Sequence, residues 1–109
     1  MIDMVKLLRQ FQKIQEEAKK IQGELAKEEV VGSSGGGMVK VTFNGKFEVL
    51  DVEIERKLLK ENDMEMLEEL ILAAVNDGMK KVQELIKKRV REFTGGLNIP
   101  EIGIPGMWG

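Results

Sequence analysis

The sequence predicts an α+β subunit: a long N-terminal helix, a three-stranded antiparallel sheet and a long C-terminal helix, assembled as a dimer. Three observations lead there. Apolar residues recur at alternating steps of 3 and 4 between Met4 and Leu25. From Met38 to Ile54 the pattern changes to a period of two around Asn44-Gly45. A second and broader apolar stripe runs from Leu67 to Phe93 and meets Gly95-Gly96, a helix stop.

The first helix carries Met4, Leu7, Phe11, Ile14, Ala18, Ile21 and Leu25 in a heptad seam, widened by Leu8. Such a seam points to helix–helix pairing. From Met4 to Lys27 the helix is roughly 36 Å long. The helical period stops at Glu28, and Glu29-Val30-Val31-Gly32 reads as a short strand. Ser33 to Gly37 is read as a turn or loop, on backbone freedom rather than on side chains. Val39, Val41 and Phe43 then share one strand face, with Lys40 and Thr42 on the other. Asn44-Gly45 signals a type I′ hairpin turn, in which both central residues take positive φ. In the return strand the parity of Phe47 and Val49 differs from that of Leu50, Val52 and Ile54. A β-bulge or a longer hairpin loop is expected there.

Asn62 and Asp63 precede the second helix, and Asn62 with Glu65 has capping-box spacing. From Asp63 to Phe93 this helix measures roughly 46 Å. A compact chain of this size has a radius of gyration of about 13 Å. Neither helix fits inside it, so both must project or meet a second copy, and a symmetric homodimer is the simplest arrangement. Residues 1–96 form one domain, followed at 97–109 by a Gly/Pro-rich tail holding Pro100, Pro105 and Trp108.

Composition narrows the chemistry. The chain of 109 residues contains no cysteine, histidine or tyrosine, and its hydroxyls are Ser33, Ser34, Thr42 and Thr94. Thiol and imidazole nucleophiles and the usual zinc or haem ligand sets are therefore absent. The glycines at 35–37 lead into a strand, whereas a phosphate-binding loop leads into a helix N-terminus. Glu48, Asp51, Glu53 and Glu55 lack the ligand spacing of a calcium loop and read as a solvated acidic face. No metal, cofactor, small-molecule substrate or enzymatic activity is expected. No signal peptide or membrane span is visible, and a cytoplasmic location is expected.

Val39-Lys40-Val41-Thr42-Phe43-Asn44-Gly45 after a glycine-rich loop resembles the YbaB/EbfC family of nucleoid-associated proteins. So does Met66-Leu67-Glu68-Glu69-Leu70-Ile71-Leu72-Ala73-Ala74-Val75-Asn76-Asp77, as do the Gln/Lys-rich first helix and the Gly-Gly-x-x-x-Pro tail. The likeness covers nearly the whole chain. It departs at Glu55-Arg56, where the family often has Asp-Pro, and at Gly78, where alanine would be expected. The resemblance implies an α–β–β–β–α subunit that dimerises, a bacterial cytoplasmic and nucleoid location, and DNA binding without catalysis.

Charge distribution says where DNA would be met. The net charge is −2, and a pI near 5.3 argues against nucleic acid, whose binding domains are commonly far more basic. Locally the picture differs. Residues 48–69 hold nine acids and three bases, whereas 79–93 hold six bases and two acids. On the second helix Lys80, Lys87, Lys88 and Arg91 lie opposite the apolar stripe, with Lys81 at its edge. Arg89 falls within the apolar face, where it either snorkels or pairs with an acid of the partner subunit. On the first helix Lys6, Lys13, Lys20 and Lys27 recur every seven residues with Arg9 adjacent, yet segment 1–29 is neutral, six bases against six acids. Both ridges also fit an ordinary solvated helix flank with internal ion pairs. The reading is phosphate contact through Lys6, Arg9, Lys13, Lys80, Lys87, Lys88 and Arg91. The rival is an adaptor that docks a partner helix through its heptad seam.

Overall fold

The computed structural model describes residues 3–96, in the order α1 (Met4–Lys27), β1 (Glu29–Ser34), β2 (Val39–Asn44), β3 (Val49–Ile54), α2 (Arg56–Lys60) and α3 (Met64–Gly96). The radius of gyration is 19.5 Å, against about 13 Å for a compact chain of this length. The long helices do project. The tail expected at 97–109 lies outside the described residues.

Asp3 starts α1 by accepting from the N–H groups of Val5 and Lys6 at 3.1 and 3.4 Å. The three strands form an antiparallel sheet in the order β1-β2-β3. One face carries Val39, Val41 and Phe43, and α3 covers it with Ala74 and Val82, closing a core that Leu58 of α2 completes. Full burial of a valine such as Val82 contributes about 1.5–3 kcal/mol. Small residues set the distance between helix and sheet. A methyl on Gly32 of β1 would collide with the Ala74 carbonyl and lie 2.6 Å from the Gly78 Cα.

Three local details correct the sequence reading. The hairpin forms, but Gly45 has no positive φ; the left-handed residue is Phe47, at φ 61°. The Phe47 N–H reaches the Asn44 carbonyl at 3.2 Å, and the Asn44 N–H reaches that of Glu48 at 3.0 Å. This is a three-residue loop around a type I turn rather than the two-residue type I′ turn. Asn44 organises it by side chain, its Oδ1 accepting from the N–H groups of Lys46 and Glu48. Gly45 is small for another reason: its N–H donates to the Leu25 carbonyl at 2.8 Å, and a Cβ would sit 2.8 Å from that of Leu25. The expected β-bulge is present. Thr42 faces Asp51 but Phe43 faces Val49, leaving Leu50 as the extra residue.

The second correction concerns the entry to α3. Asp63, not Asn62, is the cap, its Oδ1 accepting from the Met66 N–H at 3.0 Å. Asn62 takes φ 55° at the exit of α2, a conformation asparagine tolerates. The third concerns β1, which continues through Ser33 and Ser34 where a turn was expected, so that only Gly35–Gly37 turns. Ser34 Oγ donates to the Leu70 carbonyl, and the Ser33 N–H donates to Asp77 at 2.9 Å. Lys81 Nζ donates to the Val31 carbonyl at 2.8 Å and pairs with Asp77 at 3.2 Å. Two backbone groups on the outer edge of β1 are thereby satisfied by α3 side chains.

Candidate nucleic-acid interface

The basic residues of the two long helices separate into engaged and unengaged groups. Lys81 is held by Asp77 and the β1 backbone. The Ser33 N–H first, and Lys81 after it, hold the Asp77 carboxyl below its usual value. Arg89 is the second engaged cation, and its partners correct the expectation of a cross-dimer pair. Its guanidinium lies 3.0 Å from Glu24 and 3.1 Å from Glu28, both on the α1 side of its own chain, and 3.8 Å from Glu92. Partial burial disfavours its charge, but Glu28, Glu24 and Glu92 together outweigh that and raise its pKa above the ordinary arginine value.

Among the described residues, Lys6, Arg9, Lys13, Lys80, Lys87 and Lys88 make no ion pair. All but half-buried Lys87 are exposed, as is Arg91. The two groups do not form one patch. Lys6, Arg9 and Lys13 lie about 16–27 Å of helix rise beyond Glu24, whereas Lys87, Lys88 and Arg91 lie within about 3 Å of helix rise of Arg89. The acids Glu48, Asp51, Glu53 and Glu55 are exposed on the sheet side of the molecule, a surface that repels phosphate.

The heptad seam is mostly open. Met4, Leu7 and Phe11 are exposed, Ile14 and Ile21 are half-buried, and Leu25 is buried against the hairpin at Gly45. Further apolar exposure lies on β3, at Val49, Leu50 and Val52.

Among the described residues no cluster of acids, cysteines or histidines suits a metal ion, and no helix is long and apolar enough to cross a membrane. The pocket bounded by Leu58, Leu59, Asn62, Asp63, Met64 and Leu67 has one acid, Asp63, already engaged in capping α3.

Comparison with known proteins identifies the family. A nucleoid-associated protein of Syntrophobacter fumaroxidans is 45% identical over 101 residues, covering 93% of this chain and 92% of its own. Another, from Desulfotalea psychrophila, is 41% identical and covers 93% and 95% respectively. The crystal structure of an uncharacterized protein from Helicobacter pylori superposes with a TM-score of 0.76 at 30% identity, over 85% of this chain and 98% of that one. The profile of the YbaB/EbfC DNA-binding family matches residues 1–97. This protein belongs to the YbaB/EbfC DNA-binding family.

Proposed function

We propose that this protein is a non-enzymatic, homodimeric nucleoid-associated protein that binds the phosphate backbone of DNA through the basic residues of α1 and α3. One observation beyond family membership carries the reading. Glu24, Glu28 and Glu92 gather on Arg89 and Asp77 on Lys81, while among the described residues Lys6, Arg9, Lys13, Lys80, Lys87 and Lys88 make no ion pair. Lysine contacts to phosphate neutralise backbone charge and carry no sequence information. With four arginines in the whole chain, few bidentate base contacts are available. The site of action would be the nucleoid.

Self-association is supported by β3. It is an edge strand whose Val49, Leu50 and Val52 are each about half exposed, and such an edge is normally paired or protected. A second copy joined there would present both basic helices twice.

The test is DNA affinity against salt for the whole chain. Log affinity should fall linearly with log salt, with a slope of about −0.9 per phosphate contacted. Replacing Lys87, Lys88 and Arg91 with alanine should weaken binding to all sequences alike and flatten the slope. Unchanged affinity would move the contact to Lys6, Arg9 and Lys13. The open stripe of Met4, Leu7 and Phe11 favours the adaptor as second reading, and absence of binding to any duplex would select it.

A further inference from the structure

We infer that Arg89 is a positioning residue: it binds no DNA itself, but fixes the direction in which α1 leaves the domain and so the separation of the two sets of DNA-binding cations. This rests on the DNA-binding reading for its functional consequence, and on the ion cluster for its physical basis.

The residue sits at a junction. Between Met4 and Lys20 α1 is largely exposed, with only Ile14 and Glu17 half-buried. The helix is fastened at its C-terminal end by Leu25, which is 7% exposed, by the Gly45 N–H on the Leu25 carbonyl, and by Glu24 and Glu28 on Arg89. Leu25 and the backbone bond hold the helix at one point. Arg89 adds a second point on a different element, which is what turns a pivot into a fixed direction.

The consequence scales with length. From Glu24 to Met4 the helix extends about 30 Å, so a rotation of about 10° at the junction moves its tip by about 5 Å. The minor groove of DNA is about 6 Å wide. A displacement of that size removes Lys6 or Arg9 from a phosphate it would otherwise reach.

Arginine chemistry suits the task. A planar guanidinium offers five donors in a fixed fork, so one side chain can hold carboxylates on two sides. Without it, Glu24 and Glu28 on consecutive turns of chain face Glu92 with no intervening cation, and like charges then push α1 from α3. Glu28 Oε2 is already shielded from solvent and without a hydrogen-bond partner, and Arg89 holds the other oxygen of the same carboxylate at 3.1 Å. With its guanidinium committed to three acids, Arg89 is also poorly placed to serve as one more phosphate contact.

The experiment measures direction and binding separately. The chain has no cysteine, so spin labels at Gln10→Cys on α1 and Gln83→Cys on α3, both exposed positions, report one distance. Labelled chain is co-refolded with excess unlabelled chain so that only the distance within one copy is read. The expected result is a narrow distribution that broadens or shifts in Arg89→Ala and in Glu24→Gln/Glu28→Gln, with Arg89→Lys intermediate. If Arg89→Ala fails to fold by circular dichroism, the double glutamine variant decides. An unchanged distribution in the variants overturns the inference.

DNA affinity supplies the second arm. The double glutamine variant gains two units of positive charge per chain and releases Arg89. A positioning role predicts that its affinity falls, by about fivefold. A contact role predicts that it rises, and a rise overturns the inference. If the native protein binds no duplex at all, the DNA reading fails, while the distance measurement still decides whether Arg89 sets the direction of α1.

Discussion

Replacing Gly78 with alanine sets two effects of known size against each other. Helix propensity favours alanine over glycine by about 1 kcal/mol in a helix interior. Space opposes it. A Cβ at Gly78 would overlap the edge of the Phe43 ring, 2.6 Å from Cδ2 and 3.3 Å from Cζ, where ordinary contact begins at 3.4 Å. The ring has little room to retreat, because Phe43 is 2% exposed within the core under α3. Overpacking of this kind costs about 1–3 kcal/mol, and the confined ring places the site toward the upper end. The net expectation is destabilisation by about 1–2 kcal/mol, or about 4–16 °C in Tm for a domain of this size. Urea unfolding at fixed protein concentration measures it. Phe43→Leu provides the control: in that background Gly78→Ala should become neutral or stabilising, since the ring edge it meets is gone. If Gly78→Ala raises stability with Phe43 present, close approach is not why glycine stands there and the reasoning fails.

Other outcomes follow from the same geometry. Asp77 has its folded pKa below the usual 3.8, through the Ser33 N–H and Lys81. Its stabilisation is therefore complete above that value and lost as pH falls through the lower folded one. Thermal midpoints of the native chain and Asp77→Asn should differ most near neutrality and converge below pH 3.8, and a pH-independent gap would refute this. Phe47 holds φ 61° while exposed at a hairpin tip, so Phe47→Gly should raise stability by about 0.5–1 kcal/mol in urea unfolding. Val52→Lys on β3 should leave the subunit folded by circular dichroism but monomeric by sedimentation. A dimer that persists at micromolar concentration would place the subunit contact elsewhere.

The large elements were legible because their signals are long or strongly constrained. Seven seam positions define α1, and the parity change around Leu50 announced the bulge. The errors come from features that depend on distant partners. Ser33 and Ser34 carry turn chemistry, yet they stay in β1 because Asp77 and Leu70 of α3 engage them. Arg56–Lys60 is too short for a helical period to emerge, although it supplies buried Leu58. Nothing in the sequence marks Phe47 for a left-handed conformation that bulky residues avoid. For the interface, the positions of the cations along each helix were readable. Which of them are engaged was not, because Glu24 and Glu28 lie more than sixty residues from Arg89.

The Asp77–Lys81 staple on β1 has a consequence for how large an assembly can become. A sheet with two open edges can add copies without limit, and that is how ribbons and fibrils start. Here the Ser33 N–H and Val31 carbonyl are already occupied, so β1 offers an incoming strand a blocked template. If two copies join β3 to β3, the combined six-stranded sheet ends in β1 on both sides. Growth then stops at two. Two side chains of α3 would thus act as a terminator of polymerisation, and removing both would expose an edge at each end of the pair, turning a finite particle into one that can elongate.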